Sequence, residues 1–245
     1  MDRRIVFSVF LLVLMLLPAA SRAGDEMSDL ERMAQEHKHD HPTPTAAATM
    51  PPAQEVTGQE VVYAHVAGKP VKGFLARPKS AKGPLPGIIV IQEWWGLNDN
   101  IRQMAQRLAG EGYTALAVDL YGGAVADNPD QAMELMKATQ GRKAELEDNL
   151  RQAYSYLETK EKAPKIGVIG FFGGKDQGIP VSSVREFEKA MKELNKPVEI
   201  HIYEDANHAF ANPSGQAYNA KAAQYAWQRT VAFLARYLKT GKTGK

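Results

Sequence analysis

Gly87-Ile88-Ile89-Val90-Ile91, then Ile101, Met104, Ala105, Leu108 and Ala109 at helical spacing, then Gly110 and Gly112, then Thr114-Ala115-Leu116-Ala117-Val118: residues 87–118 carry the reading of the fold. Both short runs are apolar without alternation, as strands covered on two faces are. The 3.6-residue spacing between them predicts a crossover helix, and a strand–helix–strand unit makes the two strands parallel neighbours. Working outward, Glu60–Val66 and Val71–Ala76 are strand-like runs joined by Ala67-Gly68-Lys69-Pro70, a hairpin. A helical stretch begins near Pro129, and its second half aligns Leu146, Leu150, Tyr154 and Leu157 on one face. Ile166-Gly167-Val168-Ile169-Gly170 predicts another covered strand. Ser183 and Glu186 form a capping-box pattern before Val184, Phe187, Met191 and Leu194. Val198, Ile200 and Ile202 alternate with Glu199, His201 and Tyr203, the pattern of a half-exposed edge strand, and a helix from about Tyr218 to Leu238 follows. Strands alternating with helices imply an α/β domain with a mainly parallel sheet and helices on both faces. Ligands of such sheets bind beyond the carboxyl ends of the strands, here after Ile91, Val118, Gly170 and Tyr203.

The chain of 245 residues is 44% apolar and 24% charged, with 20 Gly, 14 Pro and no Cys, which excludes collagen, coiled coil and wholesale disorder. The absence of Cys removes disulfides, thiolate metal sites and a thiol nucleophile. Arg3 and Arg4 precede an apolar run from Ile5 to Leu17, then Pro18-Ala19-Ala20 and Ser21-Arg22-Ala23, so residues 1–23 are expected to be a secretory signal and the destination the periplasm or the exterior. Without them 27 basic and 27 acidic residues remain, which argues against a nucleic-acid partner, and no membrane association is expected after cleavage. Residues 24–54 are polar, then rich in Pro and Ala, the composition of a flexible tether. It carries His37, His39 and His41, which are either incidental solvated imidazoles or a chelating tract for a divalent transition metal. One domain is expected over 55–240, with a basic tail at 241–245.

The strand ends supply the candidate site. After Ile91 come Gln92-Glu93-Trp94-Trp95-Gly96. Glu93 either faces a cleft walled by Trp94 and Trp95 or is a satisfied, partly buried carboxylate with the indoles as core. After the last strand comes Asp205-Ala206-Asn207-His208-Ala209-Phe210, which puts His208 where a general base belongs. Asp176, in the Gly-rich turn Gly173-Gly174-Lys175-Asp176-Gln177-Gly178, is either a turn residue or the carboxylate that orients His208.

An Asp and a later His, each after a strand, follow the chain order of an α/β-hydrolase. The wording of four segments resembles the dienelactone hydrolase family: I-V-I-Q-E-W-W-G-L-N at 89–98; A-V-D-L-Y-G-G at 117–123; G-K-D-Q-G-I-P at 174–180; and E-D-A-N-H-A-F-A at 204–211. The resemblance covers about Glu55 to Leu238. It implies an α/β-hydrolase-type domain that hydrolyses small lactones or carboxylic esters through a Cys nucleophile, with no metal or other cofactor. Asp176 and His208 match the family's Asp and His, Glu93 the glutamate that contacts the resting nucleophile, and the Trp94 backbone N–H one oxyanion-hole donor. Trp95 would line the substrate cleft. Gly122-Gly123-Ala124 and Ala211-Asn212-Pro213 stand where prototype lactone hydrolases carry arginines for a substrate carboxylate, so an anionic dienelactone is not the expected substrate.

The nucleophile itself is missing. The family's G-x-C-x-G-G elbow follows the strand that matches Ile166–Gly170, where this chain reads Gly170-Phe171-Phe172-Gly173-Gly174. None of the serines, at 8, 21, 28, 80, 155, 182, 183 and 214, has G-x-S-x-G surroundings. Five residues separate Gly170 from Asp176, whereas two parallel strands need a connection of roughly a dozen or more. One strand must therefore stand for two, and the sheet is shortened by about two strand–helix units. If that strand keeps the elbow position, the last strand pairs beside it; if it keeps the later position, a gap about two strand spacings wide, roughly 10 Å, opens in the sheet. The lost helix is expected to expose apolar surface, with dimerisation as one outcome. Covalent catalysis is expected to be absent. The alternatives are a non-enzymatic α/β-hydrolase-fold binding protein and a secreted metal binder using the His tract.

Overall fold

The structure, a computed structural model, describes residues 8–9, 35, 37–42, 50–164, 168–176, 179, 181–193, 198–211 and 217–239. The expected hairpin is β2 (Val56–Val66) and β3 (Lys69–Pro78), antiparallel and closed by Ala67 and Gly68, both at positive φ (49° and 77°). That geometry is what a two-residue turn needs to match the strand twist. Between Val62 and Ala64 the register slips, and Tyr63 at the bulge sends its hydroxyl inward to Asn149 Oδ1 at 2.5 Å and the Asp119 carbonyl at 3.2 Å.

The strand–helix–strand unit is β4 (Gly87–Val90), α1 (Asp99–Gly110) and β5 (Thr114–Ala117). Every residue of β4 and β5 is buried, so both sheet faces are covered. Asn98 caps α1, its side chain accepting from the Ile101 N–H at 3.2 Å. The stretch from Pro129 is two helices, α2 (Pro129–Lys137) and α3 (Lys143–Thr159), rather than one, because Gly141 turns the chain at φ 76°. The side chain of Leu157 on α3 lies against Gly87 of β4.

A single strand, β6 (Val168–Gly173), precedes Asp176, followed by α4 (Val181–Glu193), the edge strand β7 (Val198–Tyr203) and α5 (Ala220–Leu234), which runs into a π turn at Ala235–Lys239. Helix α4 opens two residues before Ser183, so Ser183 and Glu186 lie inside it rather than at its cap. The turn that leads in is closed by Asp176 Oδ1, which accepts from the Ile179 N–H at 2.7 Å.

The sheet order is β2-β3-β5-β4-β1-β6-β7, with β5, β4, β1, β6 and β7 parallel to one another. Strand β1 is Ser8–Val9, and it lies between β4 and β6: Ser8 is in register with Val90 on one side and Ile169 on the other, and Val9 with Gly170. Strand β6 thus stands beside the last strand, and two residues of the amino-terminal stretch fill the place between it and β4. The physical demand is plain, since two facing strand edges carry unpaired N–H and C=O groups. The other residues expected to form a leader lie outside the described residues.

Candidate active site

The loops after β6 and β7 are zipped together beyond the ends of the strands. Gly174 N–H donates to the Tyr203 carbonyl at 2.8 Å, Lys175 N–H to the Ala206 carbonyl at 2.9 Å, and Ala206 N–H to the Tyr203 carbonyl at 3.0 Å. A Cβ on Gly173 would strike the Ala206 and Asn207 carbonyl oxygens, and one on Gly174 the backbone of Glu204, so only glycines let the loops close this tightly. Asp176 follows on one loop and His208 on the other. Ala209, immediately after His208, sits in the left-handed region at φ 55°, and Phe210 is buried against Tyr203 at 5.3 Å, which anchors the histidine's loop.

His208 Nδ1 lies 2.8 Å from Asp176 Oδ2, and both residues are buried, at 2% and 8% exposure. The other Asp176 oxygen is the one that accepts from Ile179, so the carboxylate is held at both ends. With Nδ1–H donated to the carboxylate, Nε2 is left as the basic nitrogen. That nitrogen is buried and has no hydrogen-bond partner among the described residues.

Glu93 follows β4 in a turn closed by the Gly96 N–H on the Glu93 carbonyl at 3.1 Å. Burial pushes its carboxyl up to about 7, the negative charge of Asp40 pushes in the same direction, and the nearby His208 pulls it back down. At neutral pH Glu93 is therefore close to half protonated. Trp94 and Trp95 pack on each other at 4.8 Å and share one apolar patch with the α2 region. Trp94 meets the ring of His37 at 5.2 Å. Trp95, expected to line a substrate cleft, is 1% exposed in a core patch with Ala126, Ala132, Met133 and Met136 of the α2 region, where the apolar flank of the helix gives an indole its best burial.

Within the stretch expected to be a tether, the histidines differ in their surroundings. His37 and Asp40 are buried, at 3% and 2% exposure, while Lys38, His39 and His41 are exposed. His37 Nδ1 is 2.7 Å from Asp40 Oδ2, and the His37 ring stands edge-on to His208 at 5.2 Å. The three imidazoles of the tract do not converge, because the turn that buries His37 points the other two to solvent, and no group of three ligating side chains among the described residues is arranged to hold a metal ion.

Two further polar residues of this region, Gln92 and Asp119, follow the apolar runs 87–91 and 114–118. Gln92 accepts from the Leu120 N–H at 3.0 Å, tying the loop after β4 to the loop after β5. Asp119 accepts from Tyr121 N–H at 2.8 Å and from Gly123 N–H, which shapes the Gly122-Gly123 turn.

Comparison with known proteins places this geometry. The sequence model of the dienelactone hydrolase family matches residues 71–175 and, separately, 171–238, so that 171–175 is matched twice. The protein named "Putative carboxymethylenebutenolidase" in Salmonella typhimurium is 28% identical over 268 aligned residues, which span 83% of this chain and 98% of that protein. Protein usf of Aquifex pyrophilus is 31% identical over 223, spanning 70% of this chain and 95% of its own. As 70% of 245 residues is about 172, about 50 of those 223 aligned positions have no counterpart here. A crystal structure of a dienelactone hydrolase-like promiscuous phosphotriesterase from metagenomic libraries shares the fold, with a TM-score of 0.65 at 19% identity over 75% of this chain and 99% of that one.

Proposed function

Because this chain belongs to the dienelactone hydrolase family, we propose that it is an exported member that keeps the family's base and binding region for small esters or lactones but has lost covalent catalysis. The observation that carries this reading is the His208 Nε2 atom, oriented through Asp176, buried and facing no hydroxyl or thiol among the described residues. In a hydrolase of this type the base takes a proton from an attacking Oγ or Sγ, which then bonds to the substrate carbonyl carbon as the carbonyl electrons move to oxygen. The chain has no cysteine to attack, and Gly170-Phe171-Phe172-Gly173 occupies the place of the elbow. The doubly matched stretch at 171–175 supports a segment lost at that point, and the roughly 50 unfilled positions against the Aquifex pyrophilus relative agree with its expected length.

Loss of the elbow removes more than the attacking atom, since the residue after a nucleophile normally supplies an oxyanion donor. His208 can still accept a proton from water, but little holds the developing oxyanion. The substrate class is a small carboxylic ester or lactone without a carboxylate handle, as Gly122, Gly123 and Ala124 bring no cation to the site. Export rests on the leader-like pattern of residues 1–23 and is checked by amino-terminal sequencing of the protein from its host, with Gly24 as the expected first residue.

The deciding experiment treats the purified chain with p-nitrophenyl acetate and measures both release of nitrophenol and intact mass. No acyl adduct and no burst are expected from the chain as it stands, and turnover is expected to return when a relative's missing segment is inserted between Gly170 and Gly173. An acyl adduct on any side chain of the unaltered protein overturns the reading.

A further inference from the structure

The amino-terminal segment has a place on the domain that its composition does not explain. Within residues 37–41 two polar side chains are buried while their neighbours face solvent. Burying an imidazole and a carboxylate is unfavourable unless each is matched. Here they match each other, His37 Nδ1 to Asp40 Oδ2 at 2.7 Å, in a turn closed by the Asp40 N–H on the His37 carbonyl at 2.9 Å. The ring then rests on two members of the candidate active site, Trp94 and His208, each at 5.2 Å between centroids. The charge of Asp40 is also felt by Glu93.

We propose that residues 37–41 are a built-in plug: the His37–Asp40 pair docks on Trp94 and His208 and closes the site, so that a solute reaches His208 Nε2 only when the segment lifts away. Among the described residues, the plug is held by ring contacts to Trp94 and His208 and by the short His37–Asp40 pair. It is attached through a Pro- and Ala-rich stretch of sequence, and among the described residues the chain next meets the domain at Pro52 and Ala53, which lie against Gly110, and at Gln54, whose side chain donates to the Gly110 carbonyl at 2.8 Å. Ten residues of sequence, 42–51, separate the plug from that contact with Gly110, so the plug is joined to the sheet on this side by chain length and not by a shared strand. Access alone is at issue, so the plug stands whether or not the chain turns over an ester.

Carbethoxylation of histidines by diethylpyrocarbonate, followed site by site by peptide mass spectrometry on the full chain at pH 7.5, tests it. In the unaltered protein the exposed His39, His41 and His65 are expected to react at least tenfold faster than His37 and His208. H37A is expected to raise the His208 rate at least fivefold and D40N to raise it less, whereas H37F, which keeps a ring on Trp94, is expected to leave His208 slow. Thermal unfolding of H37A at the temperature of the unaltered chain shows that the fold is intact. The proposal is overturned if His37 of the unaltered chain reacts as fast as His39, a comparison that needs no variant, or if the His208 rate is the same with and without the His37 ring.

Discussion

Replacing Glu93 by Gln should convert a buried titration into a pH-dependent difference in stability. The folded protein holds the Glu93 carboxyl up to about 7, against an ordinary value near 4.5, because burial disfavours the charged form and Asp40 repels it, with His208 opposing. At 1.36 kcal/mol per pH unit that separation is worth about 3 kcal/mol. The folded chain binds this proton more tightly than the unfolded chain. The contribution is therefore complete below pH about 4.5, declines by roughly 1.4 kcal/mol per pH unit from there, and levels off above pH about 7. The amide of the variant has no such proton to lose. In urea titrations of both proteins between pH 4 and 8, the stability of E93Q relative to the unaltered chain should rise by about 3 kcal/mol across that window, flat at either end. Any fixed cost of the amide cancels, since only the change with pH is read, and every other titrating group is common to the two proteins. D40N, which removes the second cause, should bring the upper end of the window below 7. A difference between E93Q and the unaltered chain that does not vary from pH 4 to 8 would refute the assignment of Glu93 to a buried, charge-crowded place.

Other substitutions test the frame around the site. Ala67 adopts φ 49° in the hairpin turn, where Asn is better tolerated, so A67N should raise stability by roughly 0.5–1 kcal/mol in thermal or urea unfolding; a loss would contradict the turn geometry. Leu157 is fully buried against Gly87 and Ala163 neighbours this contact, so L157A should cost about 2–5 kcal/mol, measured the same way. Removing residues 1–23, by truncation or by the cleavage that export entails, takes away β1 and leaves the facing edges of β4 and β6 without partners. The shortened chain should sediment as a dimer or larger species, or melt several degrees lower, and a monomer of unchanged melting temperature would show that β1 contributes nothing.

The strands and crossover helix were legible because uninterrupted apolar runs such as 87–91 and 114–118, punctuated by Gly110 and Gly112, have few other readings in a domain of this size. Asp176 and His208 were legible for a related reason: once the sheet is mainly parallel, the residues just past its strand ends are the ones that can converge, and these two do, at 2.8 Å. The break at Gly141 was hidden because both flanking segments have helical spacing and one glycine does not announce its φ. The burial of His37 and Asp40 was illegible for a deeper reason. Polar residues in a Pro- and Ala-rich stretch show no periodicity, and what buries them is the surface of Trp94 and His208, more than fifty and more than a hundred and sixty residues away in sequence. The two tryptophans could not be told apart in sequence because adjacent rings look alike there; both join the patch at α2, and Trp94 alone of the two meets His37.

On the proposed reading, the register of β6 explains how a base can persist where a nucleophile cannot. The strand pairs with β7 along its whole length, from Val168 with Val198 to Gly173 with Tyr203, and the ladder continues through Gly174 and Lys175 into the loop of His208. All of β6 is thus committed to aligning Asp176 with His208. A strand has one carboxyl end, and this one delivers the carboxylate, so no second loop is available there to present an attacking atom. On its other side β6 meets β1 rather than β4, a separation of two strand spacings, about 10 Å, from the loop that holds Glu93 and Trp94. The roughly 50 positions absent relative to the Aquifex pyrophilus protein are enough for a crossover and a strand to occupy that interval. A chain with the segment restored must then expel Ser8 and Val9 from the sheet, because one slot cannot hold two strands. In proteins that both retain residues 1–23, protection of the Ser8 and Val9 amides from hydrogen exchange should accordingly vanish when the segment is restored and be present when it is not, and equal protection in both would mean that the inserted segment had not entered the sheet.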